Sequence, residues 1–203
     1  KIQGDVVNAL VQNNTVDDIG GGVTSWAFGL VVTDSHSATT DPSGTHFLNN
    51  TISNIEGNTT TPFVGVGIGQ ETPVTFTDTQ DEPGTLVSGN TISNAALVFE
   101  DKFKGGAEAT PQILEAVASA NGVTSGAYII KDDKAEFWAS AEDAIASAEA
   151  GDTVNLLSGT YTGDLTIDKE LTLSGPNAGV PGFDGTRGDE ATIEGVLTIA
   201  ADG

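Results

Sequence analysis

Cysteine and methionine are both absent from this sequence, which excludes disulfides and thiolate chemistry and removes the side chains most prone to oxidation. Basic residues are nearly as scarce. Seven Lys and Arg stand against 29 Asp and Glu, for a net charge of −22, and the summed field repels nucleic acid and anionic membranes. Between Lys1 and Lys102 there is no Lys or Arg at all. Long apolar runs are missing too: no window approaches the roughly 18 to 20 apolar residues of a membrane-spanning helix, and Lys1 to Leu10 carry no apolar signal segment. These absences predict neither nucleic-acid partners nor membrane insertion. They suit an oxidising, salty exterior, extracellular or at a cell surface, where screening offsets the self-repulsion of an acid-rich chain.

What is present is enough to fold. The 203 residues are 37% hydrophobic, which fills a core, and they repeat. Val11-Gln12-Asn13-Asn14-Thr15-Val16, Phe47-Leu48-Asn49-Asn50-Thr51-Ile52 and Val87-Ser88-Gly89-Asn90-Thr91-Ile92 share one pattern. Each is followed three residues later by Ile19, Ile55 or Ala95. Repeats of this length belong to a solenoid. Apolar runs at 28–32, 63–68 and 96–99 predict buried strands. The polar stretches 33–45 and 70–85 predict loops of unequal length. Asn14, Asn50 and Asn90 then form a ladder, since asparagine tolerates left-handed backbone and its amide can bond copies above and below.

Residues 101–138 break the repeat as a small α/β insert. Thr110-Pro111 starts a helix near 111–120, and Lys131-Asp132-Asp133-Lys134 turns a hairpin between two apolar strands. Ser140-Ala141-Glu142-Asp143 caps a short amphipathic helix ending before Gly151. Short strands follow at 153–157, 164–167 and 171–173. The organisation is therefore 1–100 as rungs, 101–138 as insert, and 139–203 as a capping helix with further rungs.

The segment from Ser140 to Val154, with Ser158-Gly159-Thr160-Tyr161 and Leu165-Thr166-Ile167-Asp168-Lys169, resembles the start of right-handed parallel β-helices of the pectin-lyase-like superfamily. The resemblance implies an all-β right-handed solenoid whose open end is covered by a capping helix. It also implies that the order here is permuted, with rungs first and cap last. Leu165-Thr166-Ile167 and its sequel to Gly175 align without gaps to Leu197-Thr198-Ile199-Ala200-Ala201-Asp202-Gly203 continued by Lys1-Ile2-Gln3-Gly4. The expected assembly surface is thus Lys1, Ile2, Gln3, Gly4, Val196, Leu197, Thr198, Ile199 and Gly203, joining copies end to end either as tandem repeats of one long protein or as protomers stacked into a filament.

Chemistry is sparse. Lyases of the superfamily pair calcium-binding acids with an Arg or Lys base, yet residues 2 to 101 contain neither. Its hydrolases use grouped aspartates with a His; Asp17-Asp18 is the nearest fragment, and adjacent acids on a strand face opposite ways. His36 and His46 lie in or beside a loop without metal-ligand spacing. Arg187 sits among acids in a turn, and Trp138 fits packing. The expectation is a non-enzymatic structural module of a filament, surface layer or adhesin, with no cofactor. Calcium is left open at Asp78, Asp81 and Glu82, whose clustered oxygens suit a hard cation. The competing expectation is a β-helix that binds or degrades polysaccharides, with glycans met by the two long loops.

Overall fold

The computed structural model describes residues 2–3, 6–20, 28–33, 44–56, 64–69, 76–77, 84–101, 110–131, 134–183 and 185–200. Its first half comprises β1 (Ile2–Gln3), β2 (Leu10–Gln12), β3 (Thr15–Ile19), β4 (Phe28–Thr33), β5 (His46–Leu48) and β6 (Thr51–Ile55). β7 (Val64–Gly69), β8 (Phe76–Thr77), β9 (Thr85–Ser88), β10 (Thr91–Ala95) and β11 (Leu97–Asp101) follow. The insert holds α1 (Pro111–Ala120), β12 (Ala127–Lys131) and β13 (Lys134–Trp138). Then come α2 (Ala141–Ser147), β14 (Thr153–Leu156), β15 (Gly159–Thr162), β16 (Leu165–Ile167), β17 (Thr172–Ser174), β18 (Ala191–Glu194) and β19 (Leu197–Ile199).

The fold is a parallel β-helical solenoid in two coils. In the first, three strands make a rung: β1-β2-β3, then β4-β5-β6, then β7-β9-β10, with β11 opening a fourth. Equivalent strands stack in parallel register, Phe28 on Val64, Thr15 on Thr51 and Thr51 on Thr91. In the second coil β14-β15-β16 and β17-β18-β19 stack the same way, with Leu165 on Leu197 and Ile167 on Ile199. The three rungs of the first coil turn a corner between their second and third strands through a positive φ, at Asn13 (57°), Asn49 (54°) and Gly89 (66°), and the β14-β15-β16 rung does so at Gly163 (117°). Asparagine and glycine tolerate this left-handed backbone where β-branched residues do not.

One continuous eight-stranded sheet links the coils, in the order β1-β4-β7-β11-β13-β12-β14-β17. The hairpin of the insert is its centre. β13 runs antiparallel to β11, β12 antiparallel to β13, and β14 antiparallel to β12, so the second coil crosses the sheet in the direction opposite to the first. The core also changes face. Along β12, Tyr128 and Ile130 pack into the first core while Ala127 and Ile129 pack into the second, as the alternation of a strand requires. Reversing strand direction and core face together leaves the winding sense unchanged, so both coils have one hand.

The insert also closes the first coil. Thr110 Oγ1 accepts from the Ile113 N–H (3.3 Å) and Pro111 occupies the first helical position, a pre-organised start. Leu114, Val117 and Ala118 bury one face of α1 against Val87, Phe99 and Phe137. α2 closes the second coil: Ser140 Oγ accepts from the Asp143 N–H (3.0 Å), Ala141, Ala144 and Ile145 face the second core, and Lys169 Nζ donates to the carbonyls of Ile145, Ala146 and Ala148. That ammonium satisfies carbonyls the helix end leaves open.

Candidate assembly surfaces

The asparagine column shows how a rung end becomes complete or incomplete. Asn50 Oδ1 accepts from both the backbone N–H (3.0 Å) and Nδ2 (3.1 Å) of Asn14. Asn90 Oδ1 accepts both from Asn50, each at 2.9 Å. The left-handed residue is the one before, so the ladder residues are free to aim along the coil axis. Their spare N–H reaches a carbonyl of the previous rung, Val11 for Asn50 and Phe47 for Asn90.

The column does not stop at the third repeat. Asn121, the residue that caps the C-terminus of α1, supplies a fourth Oδ1 that accepts from Asn90 N–H and Nδ2, both at 2.9 Å. Its own Nδ2 donates to Val87 O (2.9 Å) and Val117 O (2.6 Å). Backbone pairing extends too, with the Gly89 N–H donating to Ala120 O (2.8 Å). A helix end thus mimics the missing rung. Sequence reasoning missed Asn121 because Asn-Gly after a helix signals termination, and nothing in Asn121-Gly122-Val123 repeats Asn-Thr-Ile. An outer column parallels the inner one: Asp17 Oδ1 accepts from Ser53 Oγ and Asn54 Nδ2, both at 2.8 Å, and Asn94 Nδ2 donates to Asn54 Oδ1 (2.9 Å). Those donors from Ser53 and then Asn54 hold the Asp17 carboxyl below the usual carboxylate range.

The outermost rungs contrast with these covered ends. Among the described residues the large exposed apolar side chains are Val6, Val7, Leu10, Phe183, Val196, Leu197 and Ile199. All but Phe183 lie on the rungs β1-β3 and β17-β19. Ile199 is 70% exposed although Ile167, one rung inside, is 7% exposed. It stacks on Ile167 with no rung beyond it among the described residues. Of the candidate assembly residues, Ile2 and Gln3 are on β1, paired to Val32 and Thr33, and Leu197, Thr198 and Ile199 form β19. Val196 N–H donates to Asp164 Oδ1 (2.8 Å). Lys1, Gly4 and Gly203 lie outside the described residues.

The calcium candidates Asp78, Asp81 and Glu82 also lie outside them, as do His36 and most of both long loops. Among the described residues no group of three His, Asp or Glu could hold a metal. His46 is half-buried on β5, its backbone N–H donating to Ala9 O. Arg187 pairs with Glu190 and donates to Val180 O (2.6 Å), the intra-turn role its neighbours predict. Trp138 is fully buried in the second core. Glu100 and Glu136 face each other in register across β11 and β13, both nearly fully buried, with Lys134 Nζ 2.6 Å from Glu136 Oε1. A groove of about 470 Å³ runs beside β10 between Thr91, Ser93, Asn94, Asn121 and Thr124, without a titratable side chain. A second, of about 310 Å³, has Glu115 alone among ionisable groups.

No family model, curated protein or solved structure matches the chain. The solenoid rests on the strand pairing within this chain.

Proposed function

We propose that the chain is a structural module that stacks end to end into a filament, surface layer or adhesin-like rod outside the cell. The single observation behind this reading is the concentration of exposed aliphatic side chains on the two outermost rungs, while both inner ends are closed by helices. Leaving such surfaces bare costs about 25 cal/mol per Å² of apolar area, and an uncovered rung presents unpaired strand edges that template association. A second copy is the occupant that fits, because it presents the same three-strand rung. The register read from the sequence sets Leu173 of one copy against Ile2 of the next, and both side chains face the cores of their own coils. Stacked rungs with hydrogen bonds along the axis and a continuous aliphatic interior make a stiff rod. The net charge of −22 keeps rods apart laterally.

Sedimentation velocity of the full chain at rising salt tests the reading. Screening shortens the range of the repulsion to about 3 Å at 1 M, so species should grow from the 20.6 kDa monomer towards long rods as salt and protein concentration rise. A single monomeric boundary under all conditions would overturn it.

A further inference from the structure

We infer that the complete, closed β-helix of this protein forms between copies, and that successive coils alternate on opposite faces of one unbroken sheet. This rests on the end-to-end reading and adds its geometry. Among the described residues each coil is closed at one end only, the first by α1 and Asn121, the second by α2. Their bare ends face away from the central hairpin. When β17 of one copy pairs with β1 of the next, the second core of one copy runs into the first core of its neighbour. The resulting coil begins at α2 of one chain and finishes at α1 of the other, closed at both ends.

The symmetry follows from the hairpin. Because β12 and β13 reverse the strand direction and move the core to the other face, a copy continuing the second coil enters with the reversed direction on the opposite face. Each copy is then related to the last by about half a turn around the sheet axis and a translation along it. The spine gains eight strands per copy at about 4.8 Å per strand, a rise of about 38 Å. A solenoid of uniform direction would instead stack its copies with only the small twist of its sheets.

Helical reconstruction of the assembled full-length chain by electron cryomicroscopy tests this. The expected result is a rise of about 38 Å with a rotation near half a turn, and density bulging alternately to the two sides of a flat spine. Rods whose copies repeat by translation with a small twist, or whose rise departs from eight strand spacings, would overturn the alternation while leaving end-to-end stacking intact. Absence of rods would overturn both.

Discussion

The two ends of each coil differ sharply. At the inner end of the first coil, every asparagine of the column has its neighbour, the last one supplied by a helix cap, and Leu114 and Val117 cover the final aliphatic layer. At its outer end Asn14 has no asparagine above it among the described residues, and Leu10 and Val7 are more than half exposed. The second coil repeats the contrast, with α2 and Lys169 inside and Ile199 bare outside. Solenoids need polar terminal caps to remain soluble as single units. Among the described residues two coil ends are capped and two are open, and the proposed stacking uses the open pair.

The contrast can be broken first at the column. Asn90→Ala removes the acceptor of Asn50 N–H and Nδ2 inside a buried environment and strands Asn121. An unsatisfied buried group costs about 1–3 kcal/mol, so chemical denaturation should show a loss of about 3 kcal/mol or more. Asn14→Ala, at the bare end, should lose under about 1 kcal/mol by the same measurement. Equal losses would mean that the inner end is no better built than the outer.

Gly29→Ala ranks next. A Cβ there would lie 2.5 Å from Ile52 Cγ2 and 2.6 Å from the Gly65 carbonyl oxygen of the next rung. Overpacking of this kind costs about 1–3 kcal/mol, seen as a lower denaturation midpoint with an unchanged slope. Ser140→Ala, which deletes the cap of α2, should cost about 1 kcal/mol.

The pH dependence separates α1 from the remainder. Burial first, then the charge and hydrogen bond of Glu115, pushes the Tyr128 hydroxyl up to about 12. A folded value above the unfolded value of about 10 means that this contribution is fully present below about pH 10. It is lost as the pH climbs towards 12. Ultraviolet titration should place tyrosinate formation at Tyr128 near 12, and Glu115→Gln should bring it down. The smallest effect on stability belongs to Ile199→Asp. The side chain is mostly in water, so the monomer should change by within about 0.5 kcal/mol, while sedimentation loses the larger species. Association that survives this change would shift attention away from β19.

Much of the fold was legible because periodicity and caps are local signals. The Asn-Thr pairs marked the stacked corners, Thr110-Pro111 and Ser140 marked both helix starts, and the Lys131–Lys134 turn marked the hairpin. What stayed hidden depends on nonlocal geometry. The left-handed residue is Asn13 or Asn49 rather than the ladder asparagine beside it, a distinction that two adjacent asparagines conceal. Asn121 joins the column only because α1 lies across the open rung. The reversal of direction at β12 and β13 was invisible, since a hairpin flanked by apolar strands looks the same whether it decorates a coil or splices two. The place of β19 was legible: Leu197 and Ile199 repeat Leu165 and Ile167 in sequence, and the pairing within the chain follows that repeat. The exposure of Val6, Val7 and Leu10 had no comparable signal.

The most direct test uses the absence of cysteine. With Ser174→Cys and Gln3→Cys in one chain, the proposed register places the two thiols on adjacent parallel strands of different copies, close enough to bridge. Mild oxidation should give a ladder of disulfide-linked multimers on a non-reducing gel, while each single variant stops at dimers or monomers. A double variant that folds, remains monomeric after oxidation and keeps both thiols free would contradict the end-to-end account.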